Sequence, residues 1–84
     1  MNERLIKRGK LHELKLEARE KALRASMLID RAREELALSG VTRIGEINLE
    51  VVKTAIDEAV VLQEEIREAD RHTARLEEEL GNGA

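Results

Sequence analysis

Apolar residues recur along this chain at steps of three and four. From Asn48 onward the row Val52, Ala55, Ala59, Leu62, Ile66, Ala69, Thr73, Leu76 and Leu80 keeps that alternation without a break. A period of 3.5 residues sustained this long is the seam of a helix that packs lengthwise on another helix. It predicts a helix over residues 48–80. Residues 2–38 repeat the pattern with Ala18, Ala22, Ala25, Ile29, Ala32 and Leu36; Leu11 extends it backward, and Lys15 is the one polar interruption. Only Gly9 breaks the helix-forming composition there, so a first helix is predicted over residues 2–38.

Helix punctuation gathers in the intervening loop, residues 39–48. Gly40 suits the left-handed residue just past a helix, with Val41 folding back on Leu36. Asn48 is placed to cap the second helix, and Ile47 and Val52 have the spacing of a hydrophobic staple. Ten residues are ample for reversal. The expected fold is therefore all-α: two long helices in an antiparallel coiled-coil hairpin, a single unit over 1–84, with a fraying tail at 81–84. If the chain turns near residues 42 to 44, partners across the seam have numbers summing to about 84 to 88. Ala22 and Ala25 then face Leu62 and Ile66, and Ile29 faces Ala55 or Ala59, so that small residues meet large ones.

Composition supports this picture and removes alternatives. The 84 residues include no Phe, Trp, Tyr, Pro or Cys and only five Gly, which excludes a turn-rich β fold, a disulfide scaffold and a cysteine nucleophile. The formal charge is −3, too near neutral for a polybasic nucleic-acid binder. Distribution matters more. Residues 1–38 hold ten Lys+Arg and seven Asp+Glu, whereas residues 48–84 hold four and ten. Antiparallel pairing brings Arg4, Lys7, Arg8 and Lys10 near Glu77, Glu78 and Glu79, and Arg19, Lys21 and Arg24 near Glu64, Glu65 and Glu68. Such exposed pairs contribute roughly 0 to 1 kcal/mol each, but they penalise wrong registers.

Candidate function lies in what a two-helix seam leaves over. Leu16, Leu23, Met27 and Leu28 on the first helix, and Leu49, Val51, Ile56, Val60 and Val61 on the second, fall off the seam. A small hairpin with an aromatic-free core is weakly stabilised alone. Both features point to self-association, as a homodimer forming a four-helix bundle, or to docking on a larger protein partner. Leu28, Leu49, Ile56 and Val60 are the expected interface.

Two other readings rest on charge. Arg4, Arg8, His12, Lys15 and Arg19 share one side of the first helix, and Arg67, Arg71 and Arg75 form a shorter row on the second. Such rows can track phosphates, so Arg4, Arg8, Lys15 and Arg19 are candidate contacts of a nucleic-acid-binding accessory protein. The acidic stretch Glu64, Glu65, Glu68, Asp70 and Glu77 to Glu79 suits an inhibitor that blocks a basic surface of a partner.

Catalytic and metal chemistry find little support. Glu68 and His72 are four apart on one helical face and His12 belongs to the other helix, but the paired Glu-x-x-His motif of di-metal bundles is missing. Ser26 and Ser39 have no histidine placed to activate them, and Gly40 and Gly45 lack a phosphate-loop context. No enzyme activity, cofactor or metal is expected. No apolar run approaches a membrane span, and Met1-Asn2-Glu3-Arg4 lacks the apolar stretch of a secretory signal, so a cytoplasmic protein without membrane contact is expected. The layout resembles the generic antiparallel hairpins of many adaptors and chaperone subunits and of small phage or mobile-element proteins, a likeness of architecture that carries no functional residues with it.

Overall fold

A computed structural model describes residues 2–38 and 44–82. Two helices, α1 (Glu3–Ala37) and α2 (Leu49–Asn82), lie against each other as an antiparallel hairpin, with a short 3-10 turn at Ile44–Glu46 leading into the second. The Cα envelope measures 62 × 16 × 15 Å, a rod one helix-pair thick. Gly40 and Val41, on which the glycine cap was expected, lie outside the described residues.

Local signals set the helix ends. Asn2 precedes α1, and its side-chain Oδ1 accepts the Arg4 N–H at 2.9 Å. Asn48 does the same for α2, accepting the Val51 N–H at 3.2 Å, as its position ahead of the apolar row predicts. At the other end of α2 the helix continues past Leu80 through Gly81 to Asn82.

Register follows the expected window. Lys7 reaches Glu79 at 3.3 Å and Lys21 reaches Glu65 at 3.4 Å, and in both pairs the residue numbers sum to 86. A third cross-helix pair, Lys15 with Glu77 at 3.2 Å, runs diagonally. All three join the basic first helix to the acidic second one.

The seam of α2 is the predicted one: each residue of the row from Val52 to Leu80 is buried or half-buried. The seam of α1 differs. Its non-exposed residues are Arg4, Lys7, Leu11, Leu14, Ala18, Lys21, Ala25, Leu28, Ala32 and Glu35, a strict three-four alternation. Leu11, Ala18, Ala25 and Ala32 are common to both readings, but Leu14, Lys21, Leu28 and Glu35 replace Lys15, Ala22, Ile29 and Leu36. The helix is thus turned by about 50°, half of one residue step. Two leucines gain cover this way, while Lys21 and Glu35, the polar members, are long enough to reach partners on the second helix.

The core is thin. Among the described residues, Leu14, Ala32, Ile47, Ala55, Ala59, Ala69 and Leu76 are the buried hydrophobic ones, four of them alanine. Alanine lets the helix axes approach closely, at the cost of little apolar area removed from water. No described polar or charged residue is buried.

Candidate interaction surface

Because the seam is narrow, each flank of the hairpin is an open groove between the helices. One groove, about 550 Å³, is lined by Ala22, Ser26, Ile29 and Arg33 from α1 and by Ile56, Val60 and Gln63 from α2. Leu36 lies seven residues from Ile29, and Leu49 seven from Ile56, so both extend this flank toward the loop. Ile29, Leu36, Leu49, Ile56 and Val60 are all exposed, between 41% and 57%. They form the apolar flank.

Three of the four expected interface residues therefore come together: Leu49, Ile56 and Val60. Leu28 does not join them. It is half-buried at the seam and lines the opposite groove, beside Arg31, Val51, Ala55 and Glu58. Ile29 and Leu36 take its place on the apolar flank, a consequence of the turned α1 seam. Their exposure could not be read from a pattern that counted them inward.

The opposite flank is more acidic. Past Leu28 it runs along Glu58, Val61 and Glu65 beside Arg24, then along Glu17, Glu65 and Glu68 beside Lys21. Lys21 bridges Glu17 on its own helix at 3.2 Å and Glu65 on the other at 3.4 Å. Its ammonium is held above the ordinary lysine value, first by the Glu17 hydrogen bond, with burial opposing and Glu65 adding to it. Arg71 donates to Glu68 at 2.6 Å, and that bond, followed by the Arg71 charge, holds the Glu68 carboxyl below its ordinary value.

The cationic row on α1 is divided. Arg4 is half-buried and donates to the Leu80 carbonyl at 3.2 Å, and Lys15 pairs with Glu77. Arg8 and Arg19 are exposed and make no ion pair among the described residues. On α2, Arg67 and Arg71 turn to Glu64 and Glu68 of their own helix.

Histidines and serine stay apart. His72 lines the acidic flank with Glu68, whereas exposed His12 sits two heptads before Ser26, on the apolar flank's side of α1. Ser26 is thus about 21 Å along the helix from His12, too far for activation. Among the described residues no three His, Cys, Asp or Glu side chains converge on a metal-sized site. No described helix is long and apolar enough to cross a membrane.

The fold and surface define an all-α helical hairpin with one apolar flank and one acidic flank. No protein-family model matches the chain, and neither the curated proteins nor the solved structures contain a significant match to it.

Proposed function

We propose that this chain is a non-enzymatic assembly module that self-associates through its helix faces, as a homodimer pairing two hairpins into a four-helix bundle. The apolar flank carries the reading. Exposed Ile29, Ile56 and Val60 line one groove, and exposed Leu36 and Leu49 stand one heptad further on toward the loop, so the five are not scattered singly. A core with seven small or medium buried residues among those described leaves the isolated hairpin weakly stabilised, and covering that flank would add the missing apolar burial. A cytoplasmic setting goes with a cysteine-free chain.

Light scattering across a concentration series tests the proposal. Because the chain has no Trp or Tyr, concentration is read by refractive index. The wild-type chain should approach twice its 9.5 kDa mass, and Ile56→Lys or Val60→Glu should return it to one chain while helicity is largely kept. A wild-type chain that stays at one mass, with both variants behaving identically, would sink the idea. Capture of that stable monomer by a larger partner would be the outcome if the flank serves a different protein.

A second reading, a nucleic-acid accessory role, rests on Arg8 and Arg19, exposed and without ion pairs among the described residues. Salt-sensitive binding of short duplex DNA, lost in an Arg8→Ala, Arg19→Ala variant, would support it.

A further inference from the structure

On the apolar flank one residue per heptad stands directly beside the seam and points out of the plane of the hairpin. From the loop to the open end these residues pair at matching levels: Leu36 with Leu49, Ile29 with Ile56, Ala22 with Gln63, Lys15 with Asp70 and Arg8 with Glu77. Their numbers sum to 85 in every pair, one short of the register that Lys7 with Glu79 and Lys21 with Glu65 set. The layers thus run from aliphatic, through small and neutral, to cation with anion. One copy alone does not satisfy the charged layers. Lys15 reaches diagonally to Glu77 at 3.2 Å, which leaves Asp70 and Arg8 exposed and without an ion pair among the described residues.

A second copy can cover this flank in two orientations. A two-fold axis along the rod brings both loops to one end and lays α1 on the partner's α2. Levels are then preserved and every layer meets its own kind: Leu36 the partner's Leu49, Ile29 the partner's Ile56, Lys15 the partner's Asp70 and Arg8 the partner's Glu77. A two-fold axis across the rod lays α1 on the partner's α1 in reverse. Full overlap then sets Arg8 on the partner's Leu36, Lys15 on the partner's Ile29 and Asp70 on the partner's Ile56, charge against aliphatic. Sliding the copies until Ile29 meets the partner's Ile29 mends this, but it keeps only three of the five layers and leaves Arg8, Lys15, Asp70 and Glu77 outside the contact.

The rest of the flank accommodates the axis along the rod. Arg19 comes near the partner's Arg67, and Arg33 near the partner's Lys53, but these four lie farther from the seam, at the rim. Arg67, Arg33 and Lys53 already face Glu64, Asp30 and Asp57 of their own helices at 3.9, 3.9 and 2.8 Å. Toward the open end His12 and exposed Leu5 come over the partner's Ala74 and the partner's Gly81, neither of which carries charge.

We infer that two copies of this chain pair about a two-fold axis along the rod, loops together and α1 of each on α2 of the other, with Arg8 on the partner's Glu77 and Lys15 on the partner's Asp70 selecting that orientation. The inference rests on the self-association reading. Exposed ion pairs add little affinity, but they discriminate between ways of docking. Covering the whole 62 × 16 Å face takes about 1,000 Å² from each copy, the size of a stable dimer interface, whereas the slid arrangement covers about three-fifths of it.

Spin-label distances test the orientation. Gly9→Cys and Leu23→Cys, in separate preparations, each put one label on the exposed back of α1, two heptads apart, in a chain with no other cysteine. With one label per chain, every distance read lies between copies. An axis along the rod should give the two variants the same distance. An axis across the rod, overlapped or slid, should make the Gly9 distance longer by roughly 30 Å or more, which overturns the inference while leaving self-association standing.

Charge reversal gives an independent readout. Arg8→Glu with Lys15→Glu in one chain, and Asp70→Lys with Glu77→Lys in another, should each lower the association constant about tenfold at low salt. Mixing the two should restore the two-chain mass, because each α1 then lies on an α2 of opposite charge, a repair that contacts within one hairpin cannot supply. Circular dichroism matched to the wild type establishes that each variant is folded. Absence of restoration on mixing overturns the inference. A wild-type mass of one chain at every concentration removes the self-association reading and this inference together.

Discussion

Glu35 of α1 reaches across the hairpin, and its Oε1 accepts the backbone N–H of Asn48 at 2.9 Å. Asn48 is the residue whose own Oδ1 caps Val51, so the start of α2 is held from two sides, once by its own side chain and once by the other helix. In a capping box the reciprocal bond comes from a Glu three residues into the same helix; here that position is Val51, and α1 supplies the carboxylate. The far end of α2 is treated in the same way, with Arg4 of α1 donating to the Leu80 carbonyl. Alone, α1 would be poorly served by an arginine in its first turn and a glutamate in its last, because each opposes the helix dipole there. Both residues instead complement the dipole of α2.

The cap at Asn48 should be worth measuring from each side. Asn48→Ala should cost about 1 kcal/mol in urea unfolding at fixed protein concentration. Glu35→Ala should cost about as much, since it strips a partner from a backbone N–H, whereas Glu35→Gln should keep most of the bond. Equal losses for the Ala and Gln variants would mean that Glu35 acts through charge alone.

Fraying at the opposite end tests Arg4. Arg4→Ala should weaken the last turn of α2 by about 0.5 kcal/mol, read as faster amide exchange at the final residues of that helix, with the turns around Ala59 unaffected.

The turned seam of α1 makes a sharp comparison between neighbours. Leu14 is 6% exposed and Leu16 is 47% exposed. Leu14→Ala should therefore cost about 2 kcal/mol, the lower end for a buried leucine because the core is thin, while Leu16→Ala should stay within about 0.5 kcal/mol. Ala59→Leu, forced into the close approach of the helices, should also destabilise, by about 1 to 3 kcal/mol. If the Leu14 and Leu16 variants unfold alike, α1 is not oriented as described.

Gly9 offers a gain. It lies within α1 on an exposed position, and a methyl group placed there meets no atom within 4 Å. Gly9→Ala should raise stability by about 1 kcal/mol, since alanine loses less backbone freedom on entering the helix.

The ion pairs of the acidic flank predict a stability that falls at both pH extremes. Glu68 titrates lower in the folded chain, so its contribution is complete above the ordinary carboxylate range and is lost as pH falls through the lowered value. Lys21 titrates higher, so its contribution is complete below the ordinary lysine value and is lost as pH rises beyond it. Thermal melts should show Glu68→Gln flattening the acid limb only and Lys21→Gln the alkaline limb only. Both groups are solvent-screened, and the effects should shrink in high salt.

Legibility in the sequence differed between the helices for a physical reason. In α2 apolar and polar residues separate cleanly around the helix, so Val52 through Leu80 could be read as the inward row residue by residue. In α1 they do not: its helical amphipathicity is close to nil, since Leu16, Leu23 and Met27 face outward while Arg4, Lys7, Lys21 and Glu35 face the partner. Two seams half a step apart were then equally consistent with the pattern. One signal for the correct choice was present in the misplaced end charges, Arg4 and Glu35, which disfavour an isolated helix and make sense only against a neighbour's termini. Leu28 accordingly sits half-buried at the seam, whereas Leu49, Ile56 and Val60, on the helix with the unambiguous pattern, stay exposed on one side of α2.

By itself the sequence determined two helices, their reversal, a register to within a few residues and the sorting of charge between them, because spacing, capping chemistry and net charge act locally or sum along the chain. Only the tertiary structure decided how α1 is rotated, and with it which aliphatics remain on the apolar flank and that α1 caps both ends of α2. Rotation is set by how two surfaces fit at once: Leu14 and Leu28 gain cover only where Ala55 and Ala69 leave room, and Lys21 and Glu35 can accompany them inward only because Glu65 and the Asn48 N–H stand within reach across the seam.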